Sequence, residues 1–462
     1  MGDEALTVIR AWATTTDRGE NQDLVYTDIL SRFFISAPAW ISLAVLGLSA
    51  LIAFFAFWRS GGQARWRGLA APVVSLVIAA LLGTLAWAAF EFVLRPGDTY
   101  WWARPDISRS WCIALGLLGA PLVMGTLGAK TSPAQAETGG QFWFAALGVL
   151  SSLALPGISI LFVLPAALHA LGSLVALAWK PAQPIAALLA GLVALVIWAP
   201  MLALNELALG FQFPFANTML FAVTALPWLG ALARLQAGAS WRAPTLALGV
   251  VALCGVVAAA FTPSATRERP LPLNIAYLYD ASANQGSILA GSARRALPRE
   301  LTSRLNFSSQ LVFPGDVTPY WAASVQTLPM RGPALEGVSI TPTQGGRVLH
   351  ARLRANGAYR IYIRIPIGAG AGRVRMNGAD ANYADVGNSP DARDYVTLGC
   401  QGRSCEAAEI EMTLGPNVTD WAVIGLYPGA AAPALPAIAA RPPTRTTVHF
   451  GDDAIVMSKT RV

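Results

Sequence analysis

Ile158-Ser-Ile-Leu-Phe-Val-Leu-Pro-Ala-Ala-Leu-His-Ala-Leu-Gly-Ser-Leu-Val-Ala-Leu-Ala-Trp179 runs for 22 residues without an Asp, Glu, Lys or Arg. A helix needs about 20 such residues to cross the hydrocarbon of a bilayer. The stretch has company. Ala37–Trp58, Gly68–Leu94, Trp111–Leu127, Phe142–Leu155, Pro184–Leu204, Pro214–Leu235 and Pro244–Phe261 are of the same kind. Together they predict a polytopic α-helical membrane domain of about eight spans. The fourth is short, and Pro156-Gly157 makes its junction with the fifth tight.

Composition agrees. Of 462 residues 54% are hydrophobic and 13% charged, about half the charged share of a soluble protein. The charges are unevenly placed. From Thr262 onward there are 20 Lys+Arg and 15 Asp+Glu, an ordinary density for a soluble domain. The expected organisation is an extracytoplasmic head over 1–34, a multispan domain over 35–262, a Pro-rich linker over 263–272 and a β domain over 273–462. The net charge of +7 does not indicate nucleic acid, because no Lys/Arg block follows a phosphate backbone.

Loop charge sets the expected orientation. Arg59, Arg65, Arg67, Lys130, Lys180, Arg234 and Arg242 follow the odd spans; Arg95, Arg104 and Arg109, with Asp98 and Asp106, follow the even ones. Seven against three puts the first set in the cytoplasm and both termini outside. Tyr100, Trp101, Trp102 and Trp111 are expected to form an aromatic belt at the outer interface. Cys112 and Cys254 lie in apolar segments; Cys400 and Cys405 close a short loop, and as a disulfide they place the tail in an oxidising compartment. Residues 1–34 are acidic and have no apolar core of a signal peptide. Gly2–Ala13 reads as the closing helix of a domain, with Leu6, Ile9 and Trp12 on one side, so a fragment or split product is expected.

Beyond the linker the pattern changes to period two. In Tyr359–Ile365 the apolar Tyr359, Ile361, Ile363 and Ile365 alternate with Arg360, Tyr362 and Arg364, a strand with one wet face. Similar short runs recur, Asn356-Gly357 gives a hairpin signal, and the whole predicts an all-β, sandwich-like soluble domain.

Chemistry is scarce. His169, His350 and His449 are the three histidines, and none belongs to a metal-ligand spacing. No nucleophile elbow or phosphate loop occurs. The intramembrane polar candidates are Glu91, His169 and Glu206 beside Asn205, since ionisable groups inside a membrane are functional hypotheses by default. Glu91 and Glu206 fall at outer ends of spans, which favours interfacial roles. His169 reads as a neutral side chain bonded to a neighbouring carbonyl, with a proton relay as the sharper alternative. Catalytic and metal-binding residues are expected to be none.

Several stretches resemble the vacuolar membrane protease and endoplasmic reticulum metallopeptidase group, which are aminopeptidase-Y-type zinc exopeptidases followed by a multispan region and an outer β domain. Met1–Leu6 looks like the last helix of that peptidase fold. Leu24–Leu30 with Phe33-Phe34 resembles the segment leading into the first span. Pro156–Phe162 with Pro165 resembles a mid-membrane motif, although the family more often has Tyr where Ile160 stands. Asn274–Ile288, with Tyr277 and Tyr279-Asp280, looks like the opening strand of the outer domain, and Arg441-Pro442 and Gly451-Asp452-Asp453 resemble its C-terminus. The resemblance covers nearly the whole chain and implies the membrane anchor and accessory β domain of a zinc-dependent exopeptidase, inactive by itself. Two zinc ions are implied for a peptidase domain in cis or trans, and no cofactor for this chain. The implied partners are that domain and the lipid bilayer. Ala- and Gly-rich composition favours a bacterial inner membrane. The alternatives are a transporter or channel component, or a scaffold or receptor whose β domain binds a ligand.

Overall fold

The computed structural model describes residues 24–29, 33–61, 65–235, 240–293, 295–343, 346–380, 394–417, 419–448 and 451–462. The expected helix over Gly2–Ala13, most of the acidic head, and His449 lie outside these residues. The chain divides into two units at Thr262/Pro263.

The first unit opens with a hairpin that the apolar pattern did not announce. Strand β1 (Leu24–Ile29) pairs antiparallel with β2 (Phe33–Pro38), and Val25 is buried against the helices. The helices are α1 (Ala39–Arg59), α2 (Arg65–Ala89, prolonged by a wider turn over Phe90–Leu94), α3 (Pro105–Gly125), α4 (Pro133–Ala154) and α5 (Pro156–Val175). They continue with α6 (Ala182–Leu209), α7 (Pro214–Ala225), α8 (Leu229–Leu235, joined to α7 by a tight turn) and α9 (Arg242–Phe261).

Among the described residues seven helical segments are long and apolar enough to cross a membrane, α7 and α8 counting as one. The chain is a multi-pass membrane protein. The eighth expected span differs from the others. Its helix, α4, begins at Pro133 rather than near Phe142, and its first turns carry Gln135, Glu137, Thr138 and Gln141, too polar for an apolar window. The early start is a local effect. Ser132 caps the helix by accepting from the Gln135 backbone N–H, the Gln135 side chain accepts from the Ser132 N–H, and Pro133 occupies the first turn. These polar residues are buried inside the bundle.

Close approach of small residues lets α4 sit there. A Cβ on Gly139 would fall 2.2 Å from the Gly68 carbonyl oxygen of α2, and one on Gly230 of α8 would fall 2.3 Å from the Glu137 Cβ. Large apolar side chains such as Leu81, Leu85 and Leu253 point outward, as lipid-facing residues do. The aromatic belt is a correction. Tyr100 stacks on Phe90 with ring centres 3.8 Å apart, and Trp111 is fully buried. Only Trp102 of the four is exposed, because the loop after α2 folds back onto the bundle core.

The second unit is built of strands. An eight-stranded sheet comprises, in spatial order, β13 (Tyr395–Gln401), β10 (Arg360–Pro366), β15 (Asp420–Tyr427), β17 (Ala454–Arg461), β4 (Ile275–Asp280), β5 (Gln285–Ser292), β7 (Tyr320–Val325) and β6 (Ser308–Gln310). All neighbours are antiparallel except β17 and β4. A five-stranded antiparallel sheet follows the order β12 (Ala379–Asp380), β11 (Val374–Met376), β14 (Ala408–Leu414), β9 (Gly346–Arg354), β8 (Ala334–Thr343). A minor pair joins β3 (Leu271–Pro272) to β16 (Arg445–Thr446).

The two large sheets share a core of Leu349, Leu353, Ile361, Ile363, Ile365, Ile410, Met412, Trp421 and Val423, so the unit is a β sandwich. Alternation decides the facing. Ile361, Ile363 and Ile365 are all at most 2% exposed, each worth about 2 kcal/mol of burial, while Arg360 and Arg364 lie on the other face. Short helices α10 (Arg299–Thr302) and α11 (Leu435–Ala439) cover the far end of the larger sheet with Leu301 and Ala437.

Two turn readings change. Asn356 and Gly357 both have positive φ, as the sequence signal required, yet the turn joins β9 of one sheet to β10 of the other rather than closing a hairpin. Asn274–Ile288 holds two strands, β4 and the start of β5, joined by a turn with Asn284 at positive φ. Cys400 and Cys405 are joined, with their Cα atoms 5.4 Å apart, between β13 and β14.

Candidate functional site

The three intramembrane candidates fall in different places. Glu91 lies exposed on the turn that ends α2 and has no ion pair among the described residues. Glu206, near the end of α6, is held by Arg109 of α3 through two hydrogen bonds of 2.6 and 2.7 Å. Its neighbour Asn205 donates to Asn217 at 2.8 Å. Those contacts tie helix ends together. His169 is different. It is 1% exposed on α5 and faces another helix rather than a carbonyl.

The partner is Glu137, a residue the sequence reading passed over. Glu137 is fully buried in α4, with Oε1 3.5 Å from His169 Nε2. Arg234, at the end of α8, makes an ion pair with Oε2 and is 34% exposed. An unpaired buried carboxylate is several kcal/mol unfavourable, so the guanidinium is what allows the charged form here. Gly230, one turn before Arg234, brings α8 close enough for the contact.

More polar groups extend the cluster. Gln141 follows Glu137 by one turn, and Ser173 follows His169 by one turn, on helices joined as a tight antiparallel pair. Both amide atoms of Gln141, the Ser173 hydroxyl and His169 Nε2 are buried without a hydrogen-bond partner among the described residues. Such a set is what binds internal water or a proton in a bundle interior. The half-open arginine marks the side from which water would reach it.

Chain order puts this cluster at the bundle end where α1, α3, α5 and α8 finish. The loops there carry Arg59, Lys130, Lys180 and Arg242, and none has a carboxylate partner among the described residues. At the other end Arg95 pairs with Asp98, Arg104 with Asp106 and Arg109 with Glu206. The charge asymmetry is therefore sharper than a count of arginines.

The turn of helix that carries Glu137 has the composition of a loop. The signal was present: Ser132-Pro133-Ala134-Gln135 is a capping box with proline in the first turn. Arg234 was read as a loop cation, and nothing in its neighbourhood distinguishes it from one.

The residues present do not fit a two-zinc centre. The cluster offers one imidazole and one carboxylate, and a guanidinium already occupies the carboxylate. No group of three or more His, Cys, Asp or Glu able to hold a metal occurs among the described residues. In the β unit His350 is exposed on a face crossed by the pairs Arg352–Glu409 and Arg354–Glu336, a solvated surface. No protein-family model, curated protein or solved structure matches the chain.

Proposed function

We propose that the chain is the membrane anchor and accessory β domain of a zinc-dependent exopeptidase, without catalytic residues of its own. The observation that supports it most is the parity of the passes. If α4 crosses with the seven apolar segments, the helical unit begins and ends on one side of the membrane. At 22 residues α4 is about 33 Å long, enough for the hydrocarbon layer. On this reading the unpaired cations at the opposite end lie in the cytoplasm, and the Cys400–Cys405 bond suits an oxidising space on the other side. A bacterial inner membrane is the setting this reading proposes. The peptidase itself rests on the order of the resembling stretches, from Met1–Leu6 to Gly451–Asp453. Its test is the genomic sequence immediately upstream of the Met1 codon, where the reading expects a zinc-peptidase frame. Upstream sequence with no peptidase frame nearby counts against it.

A second reading, a transporter or channel component, is favoured by the Glu137–His169–Arg234 cluster alone. Glu206 is locked to Arg109 at the other end of the bundle and Glu91 is exposed, so they do not join His169 in one path. This reading requires a substrate-dependent flux that His169→Ala abolishes while membrane insertion is unchanged.

A further inference from the structure

At one edge of the larger sheet, β6 and β7 separate. Ser308, Ser309 and Gln310 pair with Ala322, Trp321 and Tyr320, and the ladder stops there. Continued in register, it would set Leu305 opposite Val325. Instead the chain before Ser308 turns into α10, and a wedge opens between Leu301–Leu305 and Val325–Leu328. The opening measures about 550 Å³, and Ala432, Pro433, Pro436 and Ala437 form its third wall.

The wedge exposes strand edge. The Gln326 carbonyl oxygen faces β5, where a Cβ on Gly286 would lie 3.2 Å from it. The Leu328 N–H donates to the Tyr277 hydroxyl, which in turn donates to the Leu328 carbonyl. Thr327 lines the wedge with a backbone N–H and C=O. Neither has a backbone partner among the described residues. An exposed edge of this kind accepts a further strand.

The walls say what strand. They are mainly apolar, with Leu328 40% exposed. Arg304 also lines the opening, is exposed, and has no carboxylate partner among the described residues. We propose that the wedge between β6 and β7 binds an extended peptide segment, apolar in sequence and carrying a carboxylate at one end, as an added strand. Its backbone pairs with Thr327, its side chains lie against Leu305 and Pro436, and its carboxylate meets Arg304. The site belongs to the β unit and does not require the peptidase partner proposed above.

The test uses the full chain in lipid nanodiscs and a pool of labelled octapeptides, degenerate at seven positions and ending in Asp with a free carboxyl group. Bound peptides are recovered and identified by mass. The expected result is retention enriched in Val, Ile and Leu, reduced at least fivefold when alternate backbone nitrogens are methylated. Thr327→Pro, which removes the free N–H, gives a similar loss. Pro436→Glu, on an exposed wall residue, gives the same loss should Thr327→Pro fail to fold. Arg304→Glu lowers retention of this pool and raises that of a pool ending in amidated Lys. Equal retention of the methylated pool, or no retention above that of Pro436→Glu, overturns the proposal. So does a dimer of the chain that Thr327→Pro dissolves, because a second copy then fills the wedge.

Discussion

Glu137 and Arg234 form an ion pair between α4 and α8 in the interior of the helical bundle, with His169 on the other oxygen of the same carboxylate. The carboxylate has no exposed surface, while the guanidinium keeps about a third of its own. The two partners are therefore unequal, and their removal has unequal effects.

Arg234→Ala strands a buried charge and destabilises the membrane unit by about 3 kcal/mol. Glu137→Gln leaves the guanidinium, which can still reach water, and costs about 1 kcal/mol. The double variant is more stable than Arg234→Ala alone. Tryptophan-fluorescence melting in detergent checks the order; additive losses in the double variant would show that the contact contributes nothing.

Close packing beneath the pair gives a second expectation. Gly230→Ala puts a methyl 2.3 Å from the Glu137 Cβ, so α8 has to move away from α4, at a cost of about 1–3 kcal/mol. Gly47→Ala on α1 meets nothing within 4 Å and is neutral or stabilising by up to about 1 kcal/mol. Comparable melting shifts in the two variants would contradict the described α4–α8 contact.

Much of this was legible in advance, and the failures have physical causes. The apolar helices announce themselves because lipid demands long uninterrupted runs, and Ile361, Ile363 and Ile365 announce a strand because one face is buried. The first turns of α4 have the composition of a loop because their polar residues are buried inside a bundle, so only the Ser132–Gln135 capping box marks the start. His169 is conspicuous by its residue type, but its partner Glu137 sits on another helix, and the arginine on that carboxylate comes from a third. Asn356-Gly357 specified its backbone correctly and its connection wrongly, since a two-residue turn does not record which sheet receives the next strand.

In the β unit Asp453 is 5% exposed and accepts a hydrogen bond of 2.6 Å from the Tyr359 hydroxyl. Burial raises its pKa above the ordinary 3.8. A carboxyl group raised on folding stabilises most below pH 3.8, and that contribution is lost as pH rises through the folded value. Asp453→Asn keeps an oxygen for Tyr359 and removes the buried charge. Its melting temperature is expected to rise by about 2–4 °C at pH 7 and to be unchanged at pH 3.5. A gain of equal size at both pH values would rule out this cause.

Orientation is open to direct mapping. Alkaline phosphatase fused after Thr262 should be active, and fused after Lys180 inactive. The reverse pattern, or activity at both points, would refute the placement of the unpaired cations in the cytoplasm.

The most direct measurement purifies the chain from its native membrane after chemical cross-linking and assays the product for chelator-sensitive aminopeptidase activity. The account predicts that the cross-linked material contains an identifiable zinc exopeptidase and is active, while the purified 462-residue chain alone is inactive. Activity in the chain alone, or cross-linked material free of any zinc exopeptidase, would contradict it.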